Sequence, residues 1–168
     1  PASVAAWYAY GVRNAYGFAT DPATGRLWFT DNGEFTFDEL NLAFPGMNSG
    51  SRQIAGPAGH PAQTGSTANL VMLPGAQYAE PAFSWRNTVG ITGIAFLYGS
   101  ALGPAWDDVL LAGMFNFGYV WGFRMTPDRL SLALSHPGLQ DRVDDRASFS
   151  TEPVGTEAAE LLFGRNFG

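Results

Sequence analysis

Apolar and polar positions in this chain alternate over short runs that end at turn residues. In 119–125, Tyr119, Trp121 and Phe123 alternate with Val120, Gly122 and Arg124, the two-residue period of a strand with two unlike faces. Comparable runs predict short strands at 16–20, 27–31, 39–43, 82–85, 94–98 and 109–114. Asp21-Pro22 and Thr126-Pro127-Asp128 supply turn chemistry between them. A weak internal echo links Gly17-Phe18-Ala19 and the run at 27–31 to Gly93-Ile94-Ala95-Phe96 and the run at 109–114. Each is a strand, a turn and a second strand, the pattern of repeated small sheets. Between the echoes, residues 49–77 are rich in Gly, Pro, Ser, Thr and Ala and read as a long surface excursion. A loop of that length inside a folded domain points to function. Residues 156–163 are ambiguous, with helical composition but no clear period.

Composition supports many short strands over long helices. The 168 residues include 21 glycines and 11 prolines, and 46% are hydrophobic against 14% charged, so the chain can bury a sizeable core. Net charge is −6, and all nine basic residues are arginine. No basic patch argues for nucleic acid. No cysteine is present, which excludes disulfide and thiol chemistry. No apolar run reaches the ~18 residues of a membrane span. The chain begins with proline, so its natural N-terminus is expected to lie upstream.

The richest candidate chemistry lies in residues 10–41. Arg13-Asn14 precedes a strand, an Asp-Pro-x-Thr-Gly turn spans 21–25, and the next strand runs into Asn32-Gly33-Glu34 and the acidic pair Asp38-Glu39. A guanidinium offers paired donors to a carboxylate, and clustered acids with loop carbonyls offer oxygens to calcium. Such an arrangement suits an anionic cofactor held with a hard cation. The alternative is a surface hairpin with ordinary loop charges, in which Arg13 pairs with Asp31 or Asp38 and the acidic pair is exposed. Gly33 falls too early before Glu39 for an EF-hand loop.

These motifs resemble the glucose/sorbosone dehydrogenase family, soluble pyrroloquinoline quinone (PQQ)-dependent sugar dehydrogenases built as six-bladed β-propellers. The resemblance rests on Gly11, Arg13, Asn14, Gly17, the 21–25 turn, Leu27, Trp28, Thr30, Asp31 and Gly33, then on Asp-Glu-Leu-Asn-Leu at 38–42 and Pro45, Gly46, Asn48 and Gly50. It continues through 80–85, 89–104, 107–125 and 138–145 to Leu-Leu-Phe-Gly-Arg-Asn-Phe-Gly at the end. It implies an all-β fold in which residues 1–168 form about three of six blades, truncated at both ends, and in which 156–163 ends in a strand.

The resemblance also implies a site. Arg13 and Asn14 would contact PQQ, with Asn32 shorter than the family's usual Gln. Gly33 and Glu34 would present oxygens to a calcium ion, Asp38 would face the cofactor, and Glu39 with the backbone near Ser49 would hold a structural calcium. Thr88, Val89 and Gly90 occupy a further cofactor loop. Asn116 stands where the family has a lysine, and the chain has none. Ser51 replaces a family tryptophan. The catalytic residue is unassigned, because the general-base histidine is expected upstream; His60 and His136 read as solvent-exposed turn residues. Trp28, Phe83, Trp85, Trp106 and Trp121 read as core between blades. The implied function is PQQ- and Ca²⁺-dependent oxidation of an aldose or related sugar at its anomeric hydroxyl, with a separate electron acceptor and a periplasmic or secreted location. The alternative is an inactive extracellular propeller acting as a binding module, like the hedgehog-interacting proteins.

Overall fold

The computed structural model describes residues 7–145 and 162–165. Along the chain come β1 (Ala9–Tyr10), β2 (Ala15–Thr20), β3 (Leu27–Asp31), β4 (Asp38–Leu42), β5 (Met47–Asn48) and β6 (Gln77–Tyr78). They are followed by β7 (Phe83–Trp85), β8 (Ile91–Leu97), β9 (Val109–Met114), β10 (Tyr119–Arg124), β11 (Val143–Asp144) and β12 (Leu162–Arg165). Short 3₁₀ turns join some of them, and no α-helix occurs among the described residues. No described helix is long and apolar enough to cross a membrane.

Two sheets dominate. One runs β11-β7-β4-β3-β2 and the other β12-β10-β9-β8; within each, four strands form an antiparallel meander. β11 extends the first meander by pairing parallel to β7. A small sheet of two-residue strands, β1-β5-β6, is parallel throughout. The chain thus folds as the all-β protein that alternation predicts, and the end of 156–163 enters a strand. Residues 156–161 lie outside the described part.

The two meanders meet through their first strands. Thr30 is fully buried; its hydroxyl accepts from the Gly17 N–H at 2.8 Å and donates to the Thr92 carbonyl at 3.0 Å, so one side chain of β3 joins β2 to β8. Residue 17 must be glycine for this approach, since a Cβ there would lie 2.3 Å from the Thr92 oxygen. Behind the junction Trp28, Leu40, Phe83, Trp85, Ile91, Leu110, Trp121 and Phe123 form one core. Phe83 packs on Trp85 and Phe123 with ring centroids 5.0 and 5.1 Å apart. Trp106 departs from the expected core set: it sits in a loop, partly exposed, edge-on to Phe163 at 4.6 Å.

A second tie joins the outer ends. The Asp21 carboxylate closes its own turn by accepting from Ala23 N–H and the Thr24 hydroxyl, and it also receives Arg129 Nε and Nη2 at 2.7 Å each. Arg129 reaches Asp108 at 2.6 and 2.9 Å and stacks over the Phe96 ring. Burial alone would raise the Asp21 pKa, but the Arg129, Thr24 and Ala23 contacts prevail and hold it at about 2. The folded pKa lies below the unfolded one, so this stabilisation is complete above about pH 4 and lost as pH falls through about 2. Arg129→Ala is expected to cost about 3 kcal/mol at pH 7 in urea unfolding, because it strands a buried carboxylate. Arg129→Lys should recover only part of that, since a single ammonium cannot make the paired contacts.

Candidate functional site

One end of both meanders gathers the loops before β2, after β3, before β8 and after β9. Two buried acids brace them. Asp31, at the end of β3, accepts the Arg13 N–H at 2.9 Å and the Asn14 N–H at 2.6 Å, which fixes the turn entering β2. Asp38, at the start of β4, accepts Gly33 N–H on one oxygen at 2.9 Å. Its other oxygen takes the N–H groups of Val89 and Gly90 at 2.6 and 2.7 Å, with Ile91 further off at 3.4 Å. Burial raises both carboxyl pKa values, and the donated N–H groups oppose that rise. Asp38 and Glu39 are therefore not exposed acids opening a strand: they are 0% and 5% exposed.

The braced loops surround a cleft of about 500 Å³. Arg13, Asn14, Asn32 and Asp38 line it together with Thr88, Gly90 and Asn116. The fold thus brings the predicted cofactor residues to one place, except that Val89 lies beneath the floor, fully buried with its N–H donated to Asp38. Arg13 is exposed, and its guanidinium donates to the carbonyls of Asn32 and Gly33 at 2.9 and 3.1 Å rather than to the Asp31 or Asp38 carboxylate. Asn32 acts as a strut: its amide donates to Ile91 O at 2.9 Å and Asn14 O at 3.3 Å, tying β8 to the Arg13 turn. The Asn116 amide donates to Thr88 O at 3.4 Å, which links the loop after β9 to the loop before β8.

Gly33, Glu34, Glu39 and Ser49 line an adjoining small cavity of about 60 Å³ together with Asp31, and Arg13 and Arg52 also border it. That volume accommodates an ion or a few waters. Glu39 accepts Gly56 N–H at 2.6 Å and the Asn41 amide at 3.0 Å. Burial, with the charges of Asp31 and Asp38 adding to it, pushes the Glu39 pKa up to about 7 against those two hydrogen bonds. Ser49 Oγ is buried and meets no hydrogen-bond partner among the described residues. Glycine at 33 is required by its own loop, because a Cβ there would lie 2.0 Å from Thr36 O and 2.5 Å from Phe37 O.

The histidines divide. His136 is exposed and caps a 3₁₀ turn by accepting Gly138 N–H, as a turn residue should. His60, expected to be exposed, has a side chain only 5% accessible. It packs edge-on against Phe37 at 5.3 Å, accepts Ala62 N–H on Nδ1 and faces Asp145 with Nε2 at 3.2 Å. Asp141 lies close by. Because Nδ1 accepts, Nε2 carries the proton and has no lone pair to offer a metal or a substrate hydroxyl. Neither histidine lines the 500 Å³ cleft. Tyr16 and Phe115 do, 69% and 81% exposed, and sequence reasoning passed over both. Their signal was position alone: each sits within three residues of a cofactor motif.

Two antiparallel meanders with a tryptophan-rich core and an acid-braced cleft at one end define an all-β scaffold with a candidate site at its strand ends. The chain belongs to the Glucose / Sorbosone dehydrogenase family, which it matches over residues 2–146. It is 28% identical over 106 residues to the aldose sugar dehydrogenase YliI of Escherichia coli K12, a match covering 63% of this chain and 28% of that protein. The apo-form crystal structure of the soluble aldose sugar dehydrogenase from Escherichia coli superposes with a TM-score of 0.55 at 25% identity, over 75% of this chain and 35% of that one. The PQQ-bound aldose sugar dehydrogenase of Streptomyces coelicolor shares the fold with a TM-score of 0.50 at 21% identity, covering 76% and 32% of the two chains. The chain therefore spans about a third of these relatives.

Proposed function

We propose that this chain is part of a sugar oxidoreductase, specifically a PQQ- and calcium-dependent dehydrogenase that oxidises an aldose at its anomeric hydroxyl. In this reading, 1–168 is about half of a six-bladed propeller. The observation that carries the proposal is the convergence of Arg13, Asn14, Thr88 and Asn116 on one cleft beside an acid-lined cavity.

The residues fit the two groups. PQQ is a planar tricarboxylate, and a cleft of about 500 Å³ falls within the size range of small-molecule pockets. Arg13 meets it with a guanidinium that is hydrogen-bonded to the Asn32 and Gly33 carbonyls and feels the Asp31 charge, and Asn14 and Asn116 add neutral polar groups. The cavity offers oxygen donors suited to calcium in the Glu39 and Glu34 carboxylates and in the Ser49 hydroxyl, which has no partner among the described residues. The Gly33 carbonyl would have to exchange its Arg13 contact for the ion, with Arg52 also at the border. Repulsion among Asp31, Asp38 and Glu39 is the electrostatic counterpart of such a site, because a cation would relieve it. When bound, PQQ supplies a hydride acceptor and calcium a Lewis acid.

The chain's own residues would position these groups. Arg13 holds a carboxylate, Asp31 and Asp38 keep the loops in register, and Asn32 sets the spacing between β8 and the Arg13 turn. The general base comes from outside this chain, since neither histidine reaches the cleft. A separate electron acceptor and a periplasmic or secreted location complete the reading. The test is titration of the full-length protein with PQQ in the presence of calcium. Saturable binding is expected, with Arg13→Ala weakening it by about tenfold or more, since a hydrogen bond to a charged group contributes about 1.5–3 kcal/mol. EDTA should weaken it as well. A full-length protein that ignores PQQ supports the binding-module reading instead, and an unchanged affinity in Arg13→Ala removes that residue from the site.

A further inference from the structure

Asn32-Gly33 is the one asparagine–glycine pair in the 168 residues. It is half-buried on the rim shared by the cleft and the small cavity, and so partly open to water. Such a pair carries a chemistry of its own. The Gly33 nitrogen, once it has lost its proton, can attack Asn32 Cγ, because glycine has no Cβ to hinder the approach. The new N–C bond closes a succinimide ring as the Cγ–Nδ2 bond breaks, and ammonia leaves with a proton from water. Water then opens the ring at either carbonyl. Opening at Cγ leaves aspartate at position 32; opening at the main-chain carbon leaves isoaspartate, with the chain rerouted through the side chain. Water enters and ammonia leaves, with no change of oxidation state.

The native contacts hold both the attacking nitrogen and the leaving group. Gly33 N–H donates to Asp38 Oδ1 at 2.9 Å, and a carboxylate so close opposes formation of the amide anion. Asn32 Nδ2, the leaving nitrogen, donates to Ile91 O at 2.9 Å and Asn14 O at 3.3 Å. The main chain is tethered as well. Asn32 N–H donates to Asn14 O at 3.1 Å, and the Arg13 guanidinium donates to the Asn32 and Gly33 carbonyls at 2.9 and 3.1 Å. These tethers come from the Arg13-Asn14 turn, the start of β8 and the start of β4, which together form the walls of the cleft.

We infer that Asn32-Gly33 is a deamidation site gated by the closed cleft loops and converted to aspartate or isoaspartate when they open. The reaction turns a transient opening into a lasting change. Aspartate at 32 accepts hydrogen bonds but donates none when ionised, so Ile91 O and Asn14 O lose the donor they share. The new charge also joins Asp31 and Asp38, whose charges already act against ionised Glu39. Isoaspartate lengthens the main chain beside Gly33, where a Cβ would lie 2.0 Å from Thr36 O and the loop has no room. No cofactor or substrate takes part, so the outcome is independent of the sugar-dehydrogenase reading.

The experiment is incubation of the full-length protein in heavy-oxygen water at about pH 9, native and in urea, followed by peptide mass spectrometry. Among the asparagines of 1–168, Asn32 is expected to take up label before the others, as aspartate and isoaspartate. Native protein should convert at least about tenfold more slowly than unfolded protein, since only locally opened molecules react. Arg13→Ala frees two loop carbonyls from an exposed side chain, and should speed native conversion several-fold without unfolding the protein. Asn32→Gln should take up no label at 32 on the same timescale, because its longer side chain must close a larger ring. Asn32→Asp reproduces the direct product and should lower the melting temperature by a few degrees. The inference is overturned if another of these asparagines is labelled before Asn32, or if native and unfolded protein convert at one rate. It is equally overturned if Arg13→Ala leaves the native rate unchanged, if Asn32→Gln is labelled at 32 as fast as wild type, or if Asn32→Asp melts with the wild type.

Discussion

Asp38→Ala is expected to destabilise the protein by about 4 kcal/mol and to open the cleft. One carboxylate receives the N–H groups of Gly33, Val89, Gly90 and, more weakly, Ile91. Removing it leaves buried donors without acceptors, each costing about 1–3 kcal/mol, and the long Ile91 contact adds little. Asp38→Asn should be milder yet still damaging, since an amide offers one acceptor where two are used and turns an N–H toward donors. Urea unfolding measures the loss, and amide exchange at Val89 and Gly90 locates it. A variant with wild-type stability and slow exchange at both positions would mean that the loops are held elsewhere.

The second large effect concerns catalysis by this chain alone. Supplied with PQQ, calcium and a dye acceptor, the purified 168-residue chain is expected to oxidise glucose 10²–10⁴-fold more slowly than the full-length protein, the range lost with a positioned base. His60 cannot substitute, because its Nδ1 accepts a backbone N–H and its Nε2 faces Asp145. His136 is held in a turn and does not line the cleft. Comparable turnover from the two proteins would show that a base within these residues serves the reaction.

Strands carrying period-two alternation between turn residues were legible in the sequence. β3 and β9 lie where alternation puts them, and β2, β4, β7, β8 and β10 differ at an end by three residues at most. β1, β5, β6 and β11 were not legible, because two residues contain no period. The cleft was found through motif positions, yet the work of its acids was not. Asp38 reads as half of an acidic pair, while three of its four partners lie more than fifty residues away. The burial of His60 was hidden for a similar reason. It depends on Phe37, which adopts a positive φ of 57°, and on Gly56, where a Cβ would strike the Phe37 ring, so no local pattern around His60 announces it.

The turn at Asp21 has a bearing on engineering. An exposed turn of Pro, Ala, Thr and Gly between two strands is the ordinary place to insert a tag, a sensor or a circular-permutation break. Here the first residue of that turn also clamps Arg129, more than a hundred positions away, and through it Asp108. A graft between Pro22 and Gly25 would therefore disturb the second meander as well as the first. The stretch around Gly99–Gly103 is also largely exposed and closes locally, with Gly99 N–H donated to Asp107, so it is the better point of entry for foreign sequence provided that the two glycines, both at positive φ, are kept.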